Sequence, residues 1–117
     1  MTPKGKPAAE AFLAALDRLD VNATTHLYRI AQEALTNVAR HSSATLATIR
    51  LEAIAAPPGL QLIVEDNGRG LAPRAVDESQ GLGLKLMRDR AQMLGGDLAI
   101  ESPAGGGTCV RCAFPLP

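Results

Sequence analysis

Residues 60–70 read LQLIVEDNGRG, an apolar run that ends in acidic residues and a glycine-containing loop. The run is rich in Leu, Ile and Val and predicts a buried strand. Asp66 stands where that strand ends, and Gly68 and Gly70 leave the following loop without side chains, so that a flat base could approach the backbone. A carboxylate in this position could accept a hydrogen bond from an exocyclic amine. An ordinary Asp-Asn-Gly turn is the alternative interpretation.

Further strands are predicted on both sides of this loop. Residues 45–54 alternate in polarity, as a strand does, and a turn over residues 56–59 follows. The strand that precedes the glycine loop should therefore return antiparallel to them. Two last strands are predicted from Asp97 to Ser102 and from Thr108 to Phe114.

Three segments have the apolar spacing of amphipathic helices: residues 8–19, about Thr25 to His41, and Gly83 to Leu94. Asn22 or Thr24 is expected to cap the second helix. These elements predict an α/β sandwich, in which a mixed but mostly antiparallel sheet is covered on one face by helices.

Composition narrows the class of protein. The 117 residues are enough for one domain, and 12 basic residues balance 12 acidic ones, which argues against a nucleic-acid binder. No apolar run approaches the roughly 20 residues of a membrane helix, and the N-terminus does not resemble a signal peptide. We therefore expect a cytoplasmic location and no membrane contact by this domain.

The two cysteines form a Cys-x-x-Cys pattern, which is typical of metal and redox sites. They fall in a predicted strand, where residues three apart point to opposite faces, and no second Cys/His pair could complete a zinc site. We expect Cys112 in the core and Cys109 on the opposite face.

A polar stripe marks the second predicted helix. Glu33, Asn37 and His41 recur every four residues, with Arg40 beside them. Carboxylate and amide oxygens suit Mg²⁺, which needs only one or two protein oxygens beside phosphates. Arg40 and His41 could then contact phosphate oxygens. A solvated helix face is the alternative.

Two more glycine clusters follow the first. Gly81 and Gly83 stand at the start of the third predicted helix, where unpaired N–H groups attract anions. In residues 105–108, GGGT, the hydroxyl of Thr108 could bond a ring nitrogen of adenine, although a loose hairpin is the alternative. The aperiodic stretch 67–82 predicts a lid or a disordered segment. The ordered clusters together predict a site for a metal-bound nucleotide.

In this order the motifs resemble the nucleotide-binding boxes of sensor histidine kinases. Residues 30–41, IAQEALTNVARH, are similar to the asparagine box, and residues 66–70, 81–96 and 105–108 resemble the three glycine boxes. The residues of the asparagine box and the sequence MRDR in residues 87–90 resemble those of one subfamily, which includes nitrate sensors and a membrane-fluidity thermosensor.

The resemblance implies the ATP-binding fold shared by gyrase, heat-shock chaperones, MutL and these kinases, with ATP and Mg²⁺ as cofactors. It implies that Glu33 and Asn37 are the catalytic residues and act at the metal. It also implies a set of nucleotide-contacting positions, which are Asn37, Arg40, His41, Asp66, Gly68, Gly70, Gly81, Gly83, Lys85 and Thr108.

Neither histidine of the chain, His26 or His41, lies in the Glu-Leu-His-Asp context that is typical of a phosphoacceptor, and His26 is expected on a helix surface. We therefore expect residues 1–21 to be an N-terminal helical or linker segment and residues 22–117 to be the catalytic domain, with the dimerisation domain absent.

Such a domain would present the γ-phosphate of Mg-ATP to a histidine on the dimerisation domain of the same parent kinase, and would act on a response regulator indirectly. The isolated fragment is not expected to autophosphorylate. Two alternatives remain open at this point: a serine kinase of the anti-sigma-factor type and a non-catalytic, ATP-sensing interaction module. Membrane attachment of the parent is open as well.

Overall fold

The computed structural model describes residues 18–39, 43–68, 81–102 and 106–116. Within these ranges the chain forms two helices and four strands, which are α1 (Val21–Asn37), β1 (Ala47–Ile54), β2 (Gly59–Asp66), α2 (Gly81–Met93), β3 (Asp97–Glu101) and β4 (Thr108–Pro115). Neither described helix is long and apolar enough to cross a membrane. Most of the first predicted helix and most of the predicted lid lie outside the described residues.

The four strands form one sheet in the order β1-β2-β4-β3, and each neighbouring pair is antiparallel. The register places Leu62 between Leu51 on β1 and Cys112 on β4. It also places Asp66, the last residue of β2, opposite Thr108, the first residue of β4. Two positions that are far apart in the sequence therefore meet at one edge of the sheet.

The core lies between one face of this sheet and the two helices. Helix α1 contributes Ile30 and Ala34, and α2 contributes Met87 and Ala91, all of which are 0–1% exposed. The inward residues of β2 and β4 complete the cluster, and they include Leu60, Leu62, Val64, Val110, Cys112 and Phe114. Each large apolar side chain buried in this way contributes about 1.5–3 kcal/mol. The α/β sandwich predicted from the sequence is confirmed.

The opposite face of the sheet carries charged side chains and two buried residues, Ile63 and Cys109. Ile63 is 2% exposed and pairs with Arg50 on one neighbouring strand and with Arg111 on the other. Arg50 bonds Glu65 at 2.7 Å, and Arg111 lies 3.6 Å from Glu101. Arginine stems can cover an apolar neighbour while their charged heads stay near water, which accounts for the burial of Ile63.

Helix α1 begins earlier than the sequence pattern indicated. Its N-cap is Asp20, whose carboxylate accepts a hydrogen bond from the backbone N–H of Ala23 at 2.8 Å. Asn22 and Thr24, which were predicted to cap the helix, lie inside its first turn, and the Thr24 hydroxyl donates to the Asp20 carbonyl at 3.0 Å. The predicted cap was wrong because a third side chain with capping chemistry precedes both.

Both cysteines are free and buried. Cys112 belongs to the core under the helices, whereas Cys109 pairs with Glu65 and Glu101 on strands whose same-side residues form the charged face. The predicted faces are confirmed. Burial, with a smaller contribution from Asp97, raises the pKa of Cys112 to about 11, and burial is also the main cause that raises the pKa of Cys109.

Candidate nucleotide-binding site

A pocket lies between the two helices and the sheet edge at which β2 ends and β4 begins. Its polar lining residues are Asn37 from α1, Asp66 from β2 and Thr108 from β4. The remaining lining is apolar and comes from Ala34, Val38, Val64, Leu84, Met87, Ile100 and Val110. Apolar walls with a few convergent polar groups are typical of small-molecule sites. The fold thus brings together three of the residues singled out in the sequence.

The carboxylate of Asp66 is held in a defined orientation. One of its oxygens, Oδ1, accepts a hydrogen bond from the backbone N–H of Gly68 at 2.8 Å, and the residue is half-buried. The ordinary turn considered from the sequence is therefore present. It is compatible with a binding role, because an ionised carboxylate has two oxygens and the turn bond uses one of them.

Thr108 is the buried polar residue of this pocket, with 8% of its surface exposed. Its hydroxyl oxygen is buried and has no hydrogen-bond partner within the described ranges. A buried polar group without a partner costs about 1–3 kcal/mol, so a ligand that bonds this hydroxyl would recover that free energy. Because directly paired residues share a face of the sheet, Thr108 and Asp66 present their side chains on the same, helix-covered side.

The third glycine cluster packs against the first glycine loop. Gly107 has φ +87°, a left-handed conformation that favours glycine, and a Cβ there would overlap the carbonyl oxygen of Asp66. A Cβ on Gly106 would lie 3.2 Å from the carbonyl oxygen of Gly68. These glycines therefore allow two backbone segments to meet beside Asp66.

Glu33 and Asn37 lie one turn apart on α1 but face different neighbours. Asn37 lines the pocket, whereas Glu33 lies against the first turn of α2, where a Cβ on Gly83 would be 2.7 Å from its Oε1. A helix N-terminus attracts negative charge, and this explains why a carboxylate is stable there. A larger residue at position 83 would displace the end of the Glu33 side chain.

The oxygen atoms of Glu33 and Asn37 are of the kind that Mg²⁺ prefers. No group of three or more His, Cys, Asp or Glu that could hold a metal ion occurs in the part of the chain that the structure describes. Glu33 carries a carboxylate and Asn37 an amide oxygen, one turn apart on α1. Mg²⁺ is commonly held by one or two protein oxygens, with water and phosphate oxygens completing its octahedron.

The other predicted positions divide into three groups. Gly68 lies in the turn beside Asp66, and Gly81 begins α2 two residues before Gly83. Lys85 is exposed and pairs with Asp89 on its own helix at 2.9 Å, so the structure does not bring it into the pocket. The last group lies outside the described residues and comprises Arg40, His41 and Gly70.

Two polar residues make contacts that the sequence pattern did not indicate. The side chain of Asn67 bonds Thr45 and Leu46, residues that precede β1. His26 is half-buried, and its Nδ1 lies 3.2 Å from Nη1 of Arg90 on α2, so the expectation of a helix-surface residue was incomplete. The only available signal was the tendency of Asn in turns to bond nearby backbone.

Residues 22–117 match the family described as histidine kinase-, DNA gyrase B-, and HSP90-like ATPase, and the chain belongs to this family. It is 37% identical over 97 residues to the nitrate/nitrite sensor protein NarQ of Escherichia coli K12, which covers 82% of this chain and 17% of that protein. It is 41% identical over 93 residues to the sensor protein VraS of Staphylococcus aureus strain COL, which covers 78% of this chain and 25% of that protein. The chain thus spans a quarter or less of the length of these relatives.

Solved structures give the same result. The histidine kinase domain of the blue-light-activated kinase from Erythrobacter litoralis EL346 superposes with a TM-score of 0.67 at 27% identity, over 84% of this chain and 50% of that one. The ATP-binding domain of PrrB from Mycobacterium tuberculosis superposes with a TM-score of 0.63 at 29% identity, over 80% and 68%. The fold and the motifs are those of the catalytic, ATP-binding domain of sensor histidine kinases.

Proposed function

We propose that this domain binds ATP together with Mg²⁺ in the pocket between α1, α2 and the edge of β2 and β4. It would present the γ-phosphate to a histidine on a separate dimerisation domain of its parent kinase, which would pass the phosphoryl group to a response regulator. The observation that carries this proposal is the pairing of Asp66 with Thr108 in one pocket that Asn37 also lines. A cytoplasmic site of action follows from the use of ATP.

The base would be recognised at the end of the β2–β4 strand pair where β2 ends and β4 begins. The Asp66 oxygen that the turn does not use can accept a hydrogen bond from the exocyclic amine of adenine. The Thr108 hydroxyl can donate to a ring nitrogen of the same base. Leu84, Met87 and Ile100 provide apolar surface for the faces of the ring. This combination of one acceptor, one donor and apolar walls matches the amine and ring nitrogen of adenine.

The polyphosphate would extend from the base toward α1 and the first turn of α2. Asn37 and Glu33 would hold Mg²⁺, which when bound neutralises charge on the phosphate oxygens. The N-terminal N–H groups of α2, which begins at Gly81, favour anions in the same region. Arg40 and His41 remain candidates for phosphate contacts on the strength of the motif. The domain would act mainly by positioning the terminal phosphate for transfer.

The binding site can be tested by calorimetry with Mg-ATP and with inorganic triphosphate. Asp66→Ala should raise the Kd for ATP by about 10- to 100-fold, because a hydrogen bond to a charged group contributes about 1.5–3 kcal/mol, and should leave triphosphate binding unchanged. Asn37→Ala should weaken both ligands, and only when Mg²⁺ is present. Gln92→Ala, at an exposed position of α2, is the control. Unchanged ATP affinity in both site variants would refute the assignment.

Phosphoryl transfer to the histidine can be tested separately from ATP binding. Radiolabelled ATP is added to this domain together with a dimerisation domain that carries a phosphoacceptor histidine. An acid-labile phosphohistidine on that domain supports the proposal. Acid-stable phosphoserine on a partner, or ATP binding with no transfer to any acceptor, would contradict it.

A further inference from the structure

Asn67 connects the turn that carries Asp66 to the chain that precedes β1. Its side-chain Oδ1 accepts hydrogen bonds from the backbone N–H groups of Thr45 and Leu46, both at 3.0 Å. Its Nδ2 donates to the hydroxyl of Thr45 at 2.9 Å. The backbone N–H of Asn67 donates to the Leu46 carbonyl at 3.2 Å. Four hydrogen bonds therefore join one residue to two consecutive residues.

These hydrogen bonds connect two segments that both contribute to the proposed nucleotide site. Residues 43–46 lie on the connection that leads from α1, whose last residue is Asn37, to β1. Asn67 directly follows Asp66 in the sequence. The bonds thus tie the segment proposed to read the base to the segment that leaves the helix proposed to hold the metal.

The same turn is enclosed on its other side. A Cβ on Gly107 would overlap the carbonyl oxygen of Asp66 and would lie 3.5 Å from the Cα of Asn67. Backbone contact with the start of β4 therefore fixes one side of the turn, and the bonds of Asn67 fix the other. Within the turn, the N–H of Gly68 orients the carboxylate of Asp66.

We propose that Asn67 is a positioning residue for adenine recognition, which holds the Asp66 carboxylate where it can accept the hydrogen bond from the base. The proposal rests on the adenine role of Asp66 proposed above. Asn67 is exposed and does not line the pocket, so it acts on the ligand through Asp66 and not by contact. A preorganised acceptor loses less conformational freedom when the base binds, and this improves affinity.

The chemistry of the side chain explains why Asn is suited to this position. One amide oxygen can accept two backbone N–H bonds while the amide nitrogen donates to a hydroxyl, and all three contacts are made here. Aspartate keeps the acceptor oxygens at the same distance from the backbone. Glutamine keeps the amide but is longer by one methylene, and alanine removes every side-chain bond.

The test measures Kd for Mg-ATP and for Mg-triphosphate, together with thermal stability, in Asn67→Ala, Asn67→Gln and Asn67→Asp. Asn67→Ala and Asn67→Gln should raise the ATP Kd about tenfold and change the triphosphate Kd less than about twofold, since only the base contact is affected. Asn67→Asp should restore most of the selectivity for ATP over triphosphate. Asn22→Ala, at an exposed position of α1, is the matched control and should change neither ligand.

A purely structural role gives a different pattern. In that case Asn67→Ala and Asn67→Gln would lower the melting temperature but keep the wild-type ratio of ATP to triphosphate affinity, and this result would overturn the proposal. If Asn67→Ala does not fold, Asn67→Gln at this exposed position still decides the matter. If the wild-type domain does not bind ATP, or if Asp66→Ala binds it normally, the proposed function fails and not this inference alone.

Discussion

The two ends of the β2–β4 strand pair are built from the same ladder but serve different purposes. At the far end, Leu60 and Phe114 pair at 0% and 4% exposure, and the N–H of Leu116 donates to the carbonyl of Pro58 at 3.0 Å. At the site end, Asp66 and Thr108 pair, and the buried Thr108 hydroxyl has no partner in the described part of the chain.

Both ends depend on glycines that let backbones approach closely, so this feature does not distinguish them. What distinguishes them is the kind of side chain that the strand pair buries. At the far end it buries the apolar side chains of Leu60 and Phe114, which contributes to stability. At the site end a buried hydroxyl has no partner among the described residues, which reduces stability but provides a contact for a ligand. Substitutions at the two ends should therefore affect different measurements.

The largest effect on stability is expected from Gly96→Ala at the far end. A Cβ at this position would overlap the carbonyl oxygen of Ala113 and would lie 2.7 Å from the Cβ and 2.8 Å from the Cα of Phe114. Because much of this contact is with backbone, the clash should lower the free energy of unfolding by about 3 kcal/mol. Urea denaturation measures this change, and the ATP affinity of the folded fraction should stay within about twofold of wild type.

Ala99→Val, which adds methyl groups at an exposed position of β3, is the control for this experiment. It should change the free energy of unfolding by less than about 0.5 kcal/mol. If Gly96→Ala is as stable as this control, the far end is not closely packed, and the contrast between the two ends disappears.

An intermediate effect, opposite in kind, is expected from Thr108→Val at the site end. Valine replaces the hydroxyl with a methyl group of similar shape, so the ATP Kd should rise about fivefold to tenfold through the loss of one hydrogen bond. Stability should be unchanged or should increase by up to about 1 kcal/mol, because no buried polar group is left without a partner. Calorimetry and urea denaturation on the same sample give both numbers.

Thr48→Val is the matched control, since Thr48 is exposed on β1 and does not line the pocket. This variant should leave both numbers near wild type. A Thr108→Val protein that loses stability but binds ATP normally would show that the hydroxyl has a structural partner and no role in binding.

The sequence was sufficient where local rules and motif agreed. Apolar alternation and the Pro-Pro-Gly turn predicted the hairpin of β1 and β2, and the motif order placed Asp66 and Thr108 in one site. It was insufficient at the start of α1, where several capping side chains follow one another. Asp20, Asn22 and Thr24 all have side chains that can cap a helix, so the choice of Asp20 could not be made from propensity.

Contacts between segments that are distant in the sequence could not be predicted either. Asn67 bonds Thr45 through the register of β1 with β2, and Arg90 reaches His26 through the packing of the two helices. Each partner is an ordinary polar residue in its own segment, and nothing in the local pattern marks it. Only the assembled fold shows that the asparagine of the glycine loop bonds the segment that precedes β1.

The smallest effect is expected in the core between the two ends, where Cys112 lies on β4. Burial, with a smaller contribution from Asp97, raises the pKa of this thiol to about 11, whereas an unfolded thiol titrates near pH 8.5 (about the reference value). The folded protein therefore holds a proton that the unfolded chain loses, and the stability from this group is fully present below about pH 8.5 and declines as the pH rises toward 11. Urea midpoints should fall between pH 8 and pH 9 more steeply in the wild type than in Cys112→Ala, because one titrating thiol lowers the free energy of unfolding by about 0.7 kcal/mol over this interval. Equal slopes in the two proteins would mean that the thiol ionises without opening the strand pair, and the core would then be more accessible than either end suggests.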